Sequence, residues 1–420
     1  MSDTINRYSY HSRGVFLCSA ITCITFVLTE YCVGLKVLDE LHLKHIFLVF
    51  NIFLFGIYLL KKKERLFEKE VCQIIICAIS LYVISLFFQI KNGAFKVHAL
   101  EEVYYLIAPL ILIWIIFNFV SLRKIPTLVN LMFYASCFCF IIKFGKEISF
   151  LALSNISFID SSSPFESDLA QFFLLFCIFY LYTKQYIKVG VSALLCFLCF
   201  KRFTLVMLIA MLIGFKFLPH RKKVPKLIYV ITVTAFIVAP FVIYYLSTDT
   251  FDAWFYQKFG VDFDYFSMTR FSIINTVIDA DLVNYGIGTV TQFLELRNVE
   301  GQLNMHNDIL RIYMETTIVG SVIFTRQYFN TFKENIFSYV IVFYAFMELL
   351  VAHYLGPGTI SFWLIAYTLI FYFNSFENVC SDEDRKALIE NFGVKHKKIK
   401  FVCHRHLGNK SVLGEKYERE

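Results

Sequence analysis

Long apolar stretches separated by short polar or charged breaks dominate the pattern along the chain. A stretch of about 17–25 apolar residues is long enough to cross the hydrocarbon layer of a membrane as a helix. The predicted segments lie near residues 15–33, 45–60, 71–90, 103–120, 126–144, 168–183, 186–200, 203–218, 227–246, 308–324, 335–353 and 359–374. The pattern therefore predicts an all-α fold, a polytopic transmembrane helix bundle of about 12 spans. Because the breaks at Lys184–Gln185 and Lys201–Arg202 are short, the count stays open between about 10 and 12.

Composition supports a membrane location. The 420 residues are 58% hydrophobic and 17% charged, and their mean hydropathy is +0.61. A soluble domain has about 25% charged residues, so this chain has more apolar surface than a water-soluble core can bury. The first apolar segment follows "MSDTINRYSYHSR" without a small-residue cleavage site, and it is predicted to be a retained span.

Basic residues are concentrated in alternate loops, as in "KKKER" after the second segment and "RKKVPK" before the ninth. Because Lys and Arg favour cytoplasmic loops, both termini are predicted to be cytoplasmic. The net charge of +7 is assigned to these loops and the tail, and no nucleic-acid partner is predicted. The chain divides into a transmembrane domain, residues 1–374, and a basic cytoplasmic tail, residues 375–420. The tail sequence "CHRH" has no established zinc spacing, so no metal or other cofactor is predicted.

This orientation places a large loop, about residues 247–307, outside the membrane between the ninth and tenth spans. Long loops are usually functional, and this one is expected to contain short helices. The run 271–278 is predicted to be a helix at the outer interface, with Arg270 near its start. Arg270 could pair with Asp264 or a ligand phosphate, or it could be solvated. Gly286 and Gly288 allow tight turns or a close approach to a ligand.

Two further stretches place charge next to apolar runs on the same side. Lys201 and Arg202 interrupt "LCFLCFKRFTLVML". A cation at membrane depth costs about 2.5–3.5 kcal/mol on insertion scales, so such residues are usually paired or functional. The alternative is a short hairpin whose Lys and Arg reach the interface.

The second stretch, "HNDILRIYMETTIVG", begins at His306. At helical spacing Asp308, Arg311 and Glu315 form one stripe. They could belong to a site; alternatively, Asn307 or Asp308 caps the helix and Arg311–Glu315 is a buried structural pair.

These residues together favour one kind of chemistry. Guanidinium groups bind phosphate oxygens through paired hydrogen bonds, and a pyrophosphate takes two or more such partners. An imidazole with an ordinary pKa of about 6.5 can accept a proton from an attacking hydroxyl. The combination fits glycosyl transfer from a lipid diphosphate, and a lipid anchor explains why the charges lie at membrane depth.

The stretch at His306 resembles the signature of the O-antigen polymerase and O-antigen ligase superfamily of bacterial membrane proteins. The matching residues are His306, Asn307, Leu310, Glu315 and Gly320, whereas Thr317 stands where the first of two glycines is usual. Three weaker matches, in the order of the family, are "SPFESDLAQFFLLF", "KRFTLVMLIAML" and "RFSIINTVIDADLVNYGIGTV". Together these motifs cover roughly residues 160–325.

The resemblance implies a metal-independent, inverting glycosyltransferase at the outer face of the bacterial cytoplasmic (inner) membrane. A polymerase of O-antigen, capsule or exopolysaccharide repeat units is preferred; its donor is a glycan on undecaprenyl diphosphate, and its acceptor is a sugar hydroxyl of another lipid-linked unit. The alternative is an O-antigen ligase, whose acceptor is lipid A–core. A polysaccharide or ion transporter, a flippase and a non-catalytic scaffold also stay open. Expected partners are the lipid-linked glycan, the bilayer, a chain-length regulator and a flippase.

The resemblance also implies roles for individual residues. Arg202 and Arg270 are expected to bind the diphosphate and offset charge on the leaving group. His306 is expected to orient or deprotonate the acceptor hydroxyl. The further expected substrate-binding residues are Lys201, Asn307, Gly286 and Gly288. The expected supporting residues are Arg311, Glu315 and Asp308.

Overall fold

The computed structural model describes residues 13–31, 43–62, 65–146, 164–215, 217, 223–263, 267, 270–297 and 305–379. Within these ranges the regular structure is entirely helical. The helices are α1 (Arg13–Tyr31), α2 (Leu43–Lys61), α3 (Glu68–Lys91), α4 (His98–Phe119), α5 (Ile125–Phe144), α6 (Leu169–Tyr182), α7 (Tyr186–Cys199), α8 (Arg202–Gly214), α9 (Lys226–Leu246), α10 (Asp249–Phe259), α11 (Arg270–Asp279), α12 (Thr289–Arg297), α13 (Asp308–Phe332), α14 (Ile336–Val351) and α15 (Ile360–Val379). Short 3₁₀ turns precede α5 at Leu122–Lys124 and α15 at Pro357–Thr359.

A helix occupies each of the predicted apolar segments, and the described part of the chain between α9 and α13 contains the short helices α10, α11 and α12. Among the described residues, six helices are long and apolar enough to cross a membrane: α1, α2, α3, α4, α9 and the continuous segment Leu122–Phe144. The apolar helices α6, α7, α8, α14 and the segment Ile360–Ser375 are shorter. The tenth segment differs from its prediction in length, because α13 continues to Phe332 rather than ending near residue 324. The chain is thus a helical protein with several candidate membrane spans.

Helices α6 and α15 form the centre of the bundle. Nearly every side chain of α6 is buried, which is expected for a helix that is apolar on all sides. Helix α15 packs against α1, α4, α6 and α14. The outer helices α2, α3, α7 and α8 instead expose large apolar side chains, for example Phe53, Phe87, Ile187 and Ile209. Such an extended apolar surface suits hydrocarbon rather than water.

Hydrogen bonds between helix termini define two ends of the bundle. The end that we call the loop end contains the pairs Glu30–Ser361, Asn92–Asn284 and Ser167–Cys199. The opposite end contains the pairs Lys62–Asn118, Trp114–Leu66 and Asn335–Phe373. Because Asn284 belongs to the segment between α11 and α12, this part of the large loop adjoins the loop end.

The large loop is anchored to the bundle in two ways. Helices α11 and α12 share a small apolar core with the start of α13, formed by Ile273, Ile274, Val277, Val290, Leu294, Met305 and Leu310. The turn before α12 also lies against α3: the Ile287 N–H donates to Ser85 Oγ at 3.0 Å. A Cβ at Gly286, whose φ is 92°, would overlap Ser85. Only glycine permits both this conformation and this close approach.

Candidate functional site

The basic pair Lys201–Arg202 lies at the loop end, in the tight turn between α7 and α8. Phe200 adopts a left-handed conformation with φ 48°, which ends α7, and Arg202 begins α8. Lys201 Nζ lies 3.0 Å from Glu166 Oε1 and 3.3 Å from Asp168 Oδ1. Although burial opposes its charge, these two carboxylates raise the pKa of Lys201 above its ordinary value. Lys201 is therefore a fully charged, paired cation.

Arg270 is the first residue of α11 and lies close to the basic pair. Its guanidinium makes no hydrogen bond or ion pair with any residue that the structure describes. Burial, followed by the positive charge of Arg202, lowers the pKa of Arg270. Two partly buried guanidinium groups within electrostatic reach of each other repel, and an anion bound between them would relieve that repulsion.

His306 occupies the turn immediately before α13 and adopts a left-handed conformation with φ 51°. Burial and then the charges of Arg270 and His353 lower the pKa of His306 to about 4. The Lys201 charge acts in the same direction, and Asp168 opposes it. His306 is therefore neutral at pH 7, and it lies within electrostatic reach of Arg270 and Lys201.

The start of α13 is tied to the segment between α14 and α15. Asn307 is the N-cap of α13: its Oδ1 accepts from the Leu310 N–H at 2.9 Å, and its Nδ2 donates to the Leu350 carbonyl at 2.8 Å. The buried carboxylate of Asp308 lies 2.8 Å from His353 Nδ1. It also accepts hydrogen bonds from the backbone N–H groups of Tyr354 and Leu355. The prediction of an N-cap at Asn307 or Asp308 is thus confirmed at Asn307.

Behind these residues Arg311 forms a buried ionic network. Its guanidinium forms two hydrogen bonds with Glu102 in α4, at 2.9 and 3.1 Å, and its Nε donates to Asp308 at 3.0 Å. The predicted partner Glu315 is more distant, at 3.9 Å from Arg311 Nη1. Glu315 instead accepts from the Val290 N–H at 2.8 Å. The network joins α13 to α4 and α12.

The structure brings four sequence-predicted residues together at the loop end: Lys201, Arg202, Arg270 and His306. Asn307, Asp308, Arg311 and Glu315 lie next to them at the start of α13 and contact other parts of the protein. Gly286 packs on Ser85, and a Cβ at Gly288 would lie 2.9 Å from His98 Cβ. Both glycines are thus used in packing, and their contact with substrate stays a prediction.

Asp264 and the tail from residue 380, which includes Cys403 to His406, lie outside the described residues. Within the part of the chain that is described, no group of three or more His, Cys, Asp and Glu side chains is placed to hold a metal ion.

Sequence reasoning missed four residues of this region: His353, Glu348, Glu166 and Glu102. Glu348 is buried in α14 and accepts hydrogen bonds from Thr204 at 3.0 Å and Gln171 at 3.3 Å. A signal existed for His353, because "AHYLGPG" forms the break between two predicted spans on the same side as Arg270. No pattern in the sequence indicated which residues these side chains contact.

Comparisons with known proteins find no matching family model, no similar curated protein and no similar solved structure. The function is therefore inferred from the site itself.

Proposed function

We propose that this protein is a polytopic membrane glycosyltransferase that polymerises oligosaccharide repeat units of an O-antigen, capsule or exopolysaccharide. The donor is a glycan on undecaprenyl diphosphate, and the acceptor is a sugar hydroxyl of another lipid-linked unit. The observation that carries the proposal is the convergence of Arg202, Arg270 and His306, from three separate segments, at one end of the helix bundle. Arg270 in particular makes no hydrogen bond or ion pair with the described residues, which suits a ligand-binding cation.

The proposal includes a topology of about 12 spans in the bacterial inner membrane, with both termini cytoplasmic and residues 247–307 outside. Contacts at the opposite end support it, because that end contains several lysines of the predicted cytoplasmic loops, including Lys62, Lys188 and Lys333. On the other side, α10 exposes Trp254 and Tyr256, and such aromatic side chains are enriched at membrane–water interfaces.

In the proposed reaction the acceptor hydroxyl attacks the anomeric carbon of the donor as the bond to the diphosphate oxygen breaks, which inverts the configuration. Arg202 and Arg270 bind the diphosphate and stabilise the negative charge that develops on it. Neutral His306 orients the acceptor through a hydrogen bond. The two guanidinium groups supply positive charge of the kind that a metal ion provides at other sites.

Binding of undecaprenyl diphosphate to the purified protein in nanodiscs tests the role of Arg270. We expect Arg270→Ala to weaken binding about 10- to 100-fold, since a hydrogen bond between charged groups contributes about 1.5–3 kcal/mol. Arg297→Ala is the matched control, because Arg297 lies in the same loop, over the Phe293 ring. Equal affinities of the Arg270→Ala variant and the wild type would contradict the proposal, as would equal binding of undecaprenol.

A deletion strain distinguishes the polymerase from its alternatives. Loss of a polymerase leaves single repeat units on the cell surface, loss of a ligase leaves the lipid core bare, and loss of a flippase traps subunits inside the cell. We expect single units, a restored chain-length ladder with the wild type or Arg297→Ala, and no ladder with Arg270→Ala or His306→Ala. Bare lipid core would instead indicate the ligase.

A further inference from the structure

A second imidazole, His353, lies at the loop end beside the predicted residues. It follows α14 and lies within electrostatic reach of His306. Its Nδ1 lies 2.8 Å from Asp308 Oδ1, and its side chain is 9% exposed. Asp308 begins α13 two residues after His306. The same short stretch of chain therefore carries the His306 ring and positions the His353 ring.

The contact with Asp308 selects the tautomer of His353. A carboxylate only accepts hydrogen bonds, so Nδ1 is the protonated nitrogen and donates to Asp308. The lone pair of the neutral ring is therefore on Nε2. Nε2 makes no hydrogen bond with any residue that the structure describes. His353 thus has the arrangement of a general base whose orientation is fixed by a carboxylate.

Gly356 makes room for the imidazole ring of His353. A Cβ at this position would overlap Nε2 and would lie 3.1 and 3.3 Å from the two adjacent ring carbons. The backbone of Gly356 is extended, with φ −146°, and any residue could adopt it. The requirement for glycine is consequently one of space for the imidazole ring, whose Nε2 edge packs against Gly356. By contrast, a Cβ at Gly358, two residues later, would contact nothing within 4 Å.

The two imidazoles have different surroundings. The Nδ1 of His353 lies beside the carboxylate of Asp308. His306 lies within reach of the positive charges of Arg270 and Lys201, which oppose an imidazolium there. His306 is therefore the ring that stays neutral.

We propose that His353, positioned by Asp308, is the general base of the transfer reaction and that neutral His306 only orients the acceptor. This inference rests on the proposed glycosyltransferase function. As the acceptor oxygen forms its bond to the anomeric carbon, the hydroxyl proton passes to His353 Nε2. The electron pair of the breaking bond goes to the diphosphate oxygen. The imidazolium of His353 then releases its proton to water, which restores the neutral ring beside Asp308.

Steady-state transfer tests this assignment, using the lipid-linked repeat unit extracted from the deletion strain as both donor and acceptor. We expect His353→Gln to lower kcat about 100-fold or more with little change in KM, because general base catalysis contributes about 10²- to 10⁴-fold. His306→Gln retains hydrogen bonding and should lose less. Gly356→Ala should lower kcat about 10- to 100-fold by displacing or covering Nε2, whereas Gly358→Ala should match the wild type. Imidazole in the buffer should restore part of the activity of His353→Ala but none of that of Arg270→Ala.

The outcomes separate this inference from its premise. If the wild type transfers glycan and His353→Gln keeps its kcat within about threefold, His353 is not the base, and the proposed function stands. Loss of activity in His353→Ala without rescue by imidazole would also overturn the assignment, since it would indicate a structural role. A folded wild type that neither transfers glycan nor binds undecaprenyl diphosphate would overturn the proposed function and this inference together.

Discussion

Arg270 and Arg311 are both arginines near the loop end of the bundle, but their surroundings differ. The Arg311 side chain is 2% exposed, and its charge is offset by two hydrogen bonds with Glu102 and one with Asp308. Arg270 makes no hydrogen bond or ion pair with a carboxylate among the described residues. Arg202 adds a second positive charge nearby, and Glu166, Glu348 and Asp168 offset it only from a distance. A buried, fully paired cation holds elements together, whereas a cation without a direct partner can gain free energy when an anion binds. This contrast distinguishes the structural arginine from the one proposed to bind a ligand.

Replacing Glu102 tests the structural role of Arg311. Glu102→Ala would leave the buried guanidinium without its principal partner, and breaking such a pair costs about 3–5 kcal/mol. We expect a large fall in the midpoint of thermal unfolding in detergent and a smaller yield of monodisperse protein.

The neighbouring residue provides the control. Glu101 lies on the same helix with a side chain that is 51% exposed, and it forms an ion pair with His98 at 3.1 Å. Exposed ion pairs contribute about 0–1 kcal/mol, so Glu101→Ala should unfold close to the wild type. Similar losses in the two variants would mean that the Arg311–Glu102 pair contributes little to stability.

At the scale of elements, α13 differs from its prediction by a kink near its middle. The apolar pattern predicts a helical segment near residues 308–324, and the structure adds a kink at Thr317, where φ is 63° and ψ is −174°. In the turn before the kink Asn284 donates to the carbonyls of Met314 and Glu315, at 3.0 and 3.1 Å. Kinks occur where a side chain enters the hydrogen-bond ladder of a helix, and here that side chain comes from the large loop. A sequence window over α13 does not include Asn284, so the kink could not be predicted from it.

The conformation of Thr317 yields a prediction about stability. Its φ and ψ lie in a region that only glycine adopts easily, at a cost of about 1–3 kcal/mol for other residues. Thr317→Gly should therefore raise the midpoint of thermal unfolding. Val319→Gly is the control, because Val319 is also exposed but helical, and glycine there should cost about 1 kcal/mol. A decrease of equal size in both variants would show that Thr317 is not strained.

At the scale of the whole molecule, local signals were predictable and long-range contacts were not. The helices and the short helix at Arg270 follow from apolar runs that each fit within one window of sequence. The Arg311–Glu102 pair joins residues 209 positions apart, and the His353–Asp308 pair joins residues 45 positions apart. Helical spacing indicated Asp308 and Glu315 as neighbours of Arg311 but not Glu102, which lies closer to Arg311 than Glu315 does. The predicted orientation of the loops could indicate which residues lie on the same side, but not which side-chain atoms form contacts.

The proposed topology can be tested by fusing alkaline phosphatase, which needs disulfides and is active only outside the cytoplasm, at defined positions. The basic loops predict an active fusion after Gly260, beyond α10, and an inactive one after Lys223, before α9. A fusion after Gly93, which follows α3, should likewise be active. A fusion after Lys62, which follows α2, should be inactive. Activity after both Gly260 and Lys223 would mean that α9 does not cross the membrane. The reverse pattern would place Arg270 and His306 in the cytoplasm, away from glycans on the outer leaflet, and would exclude polymerisation there.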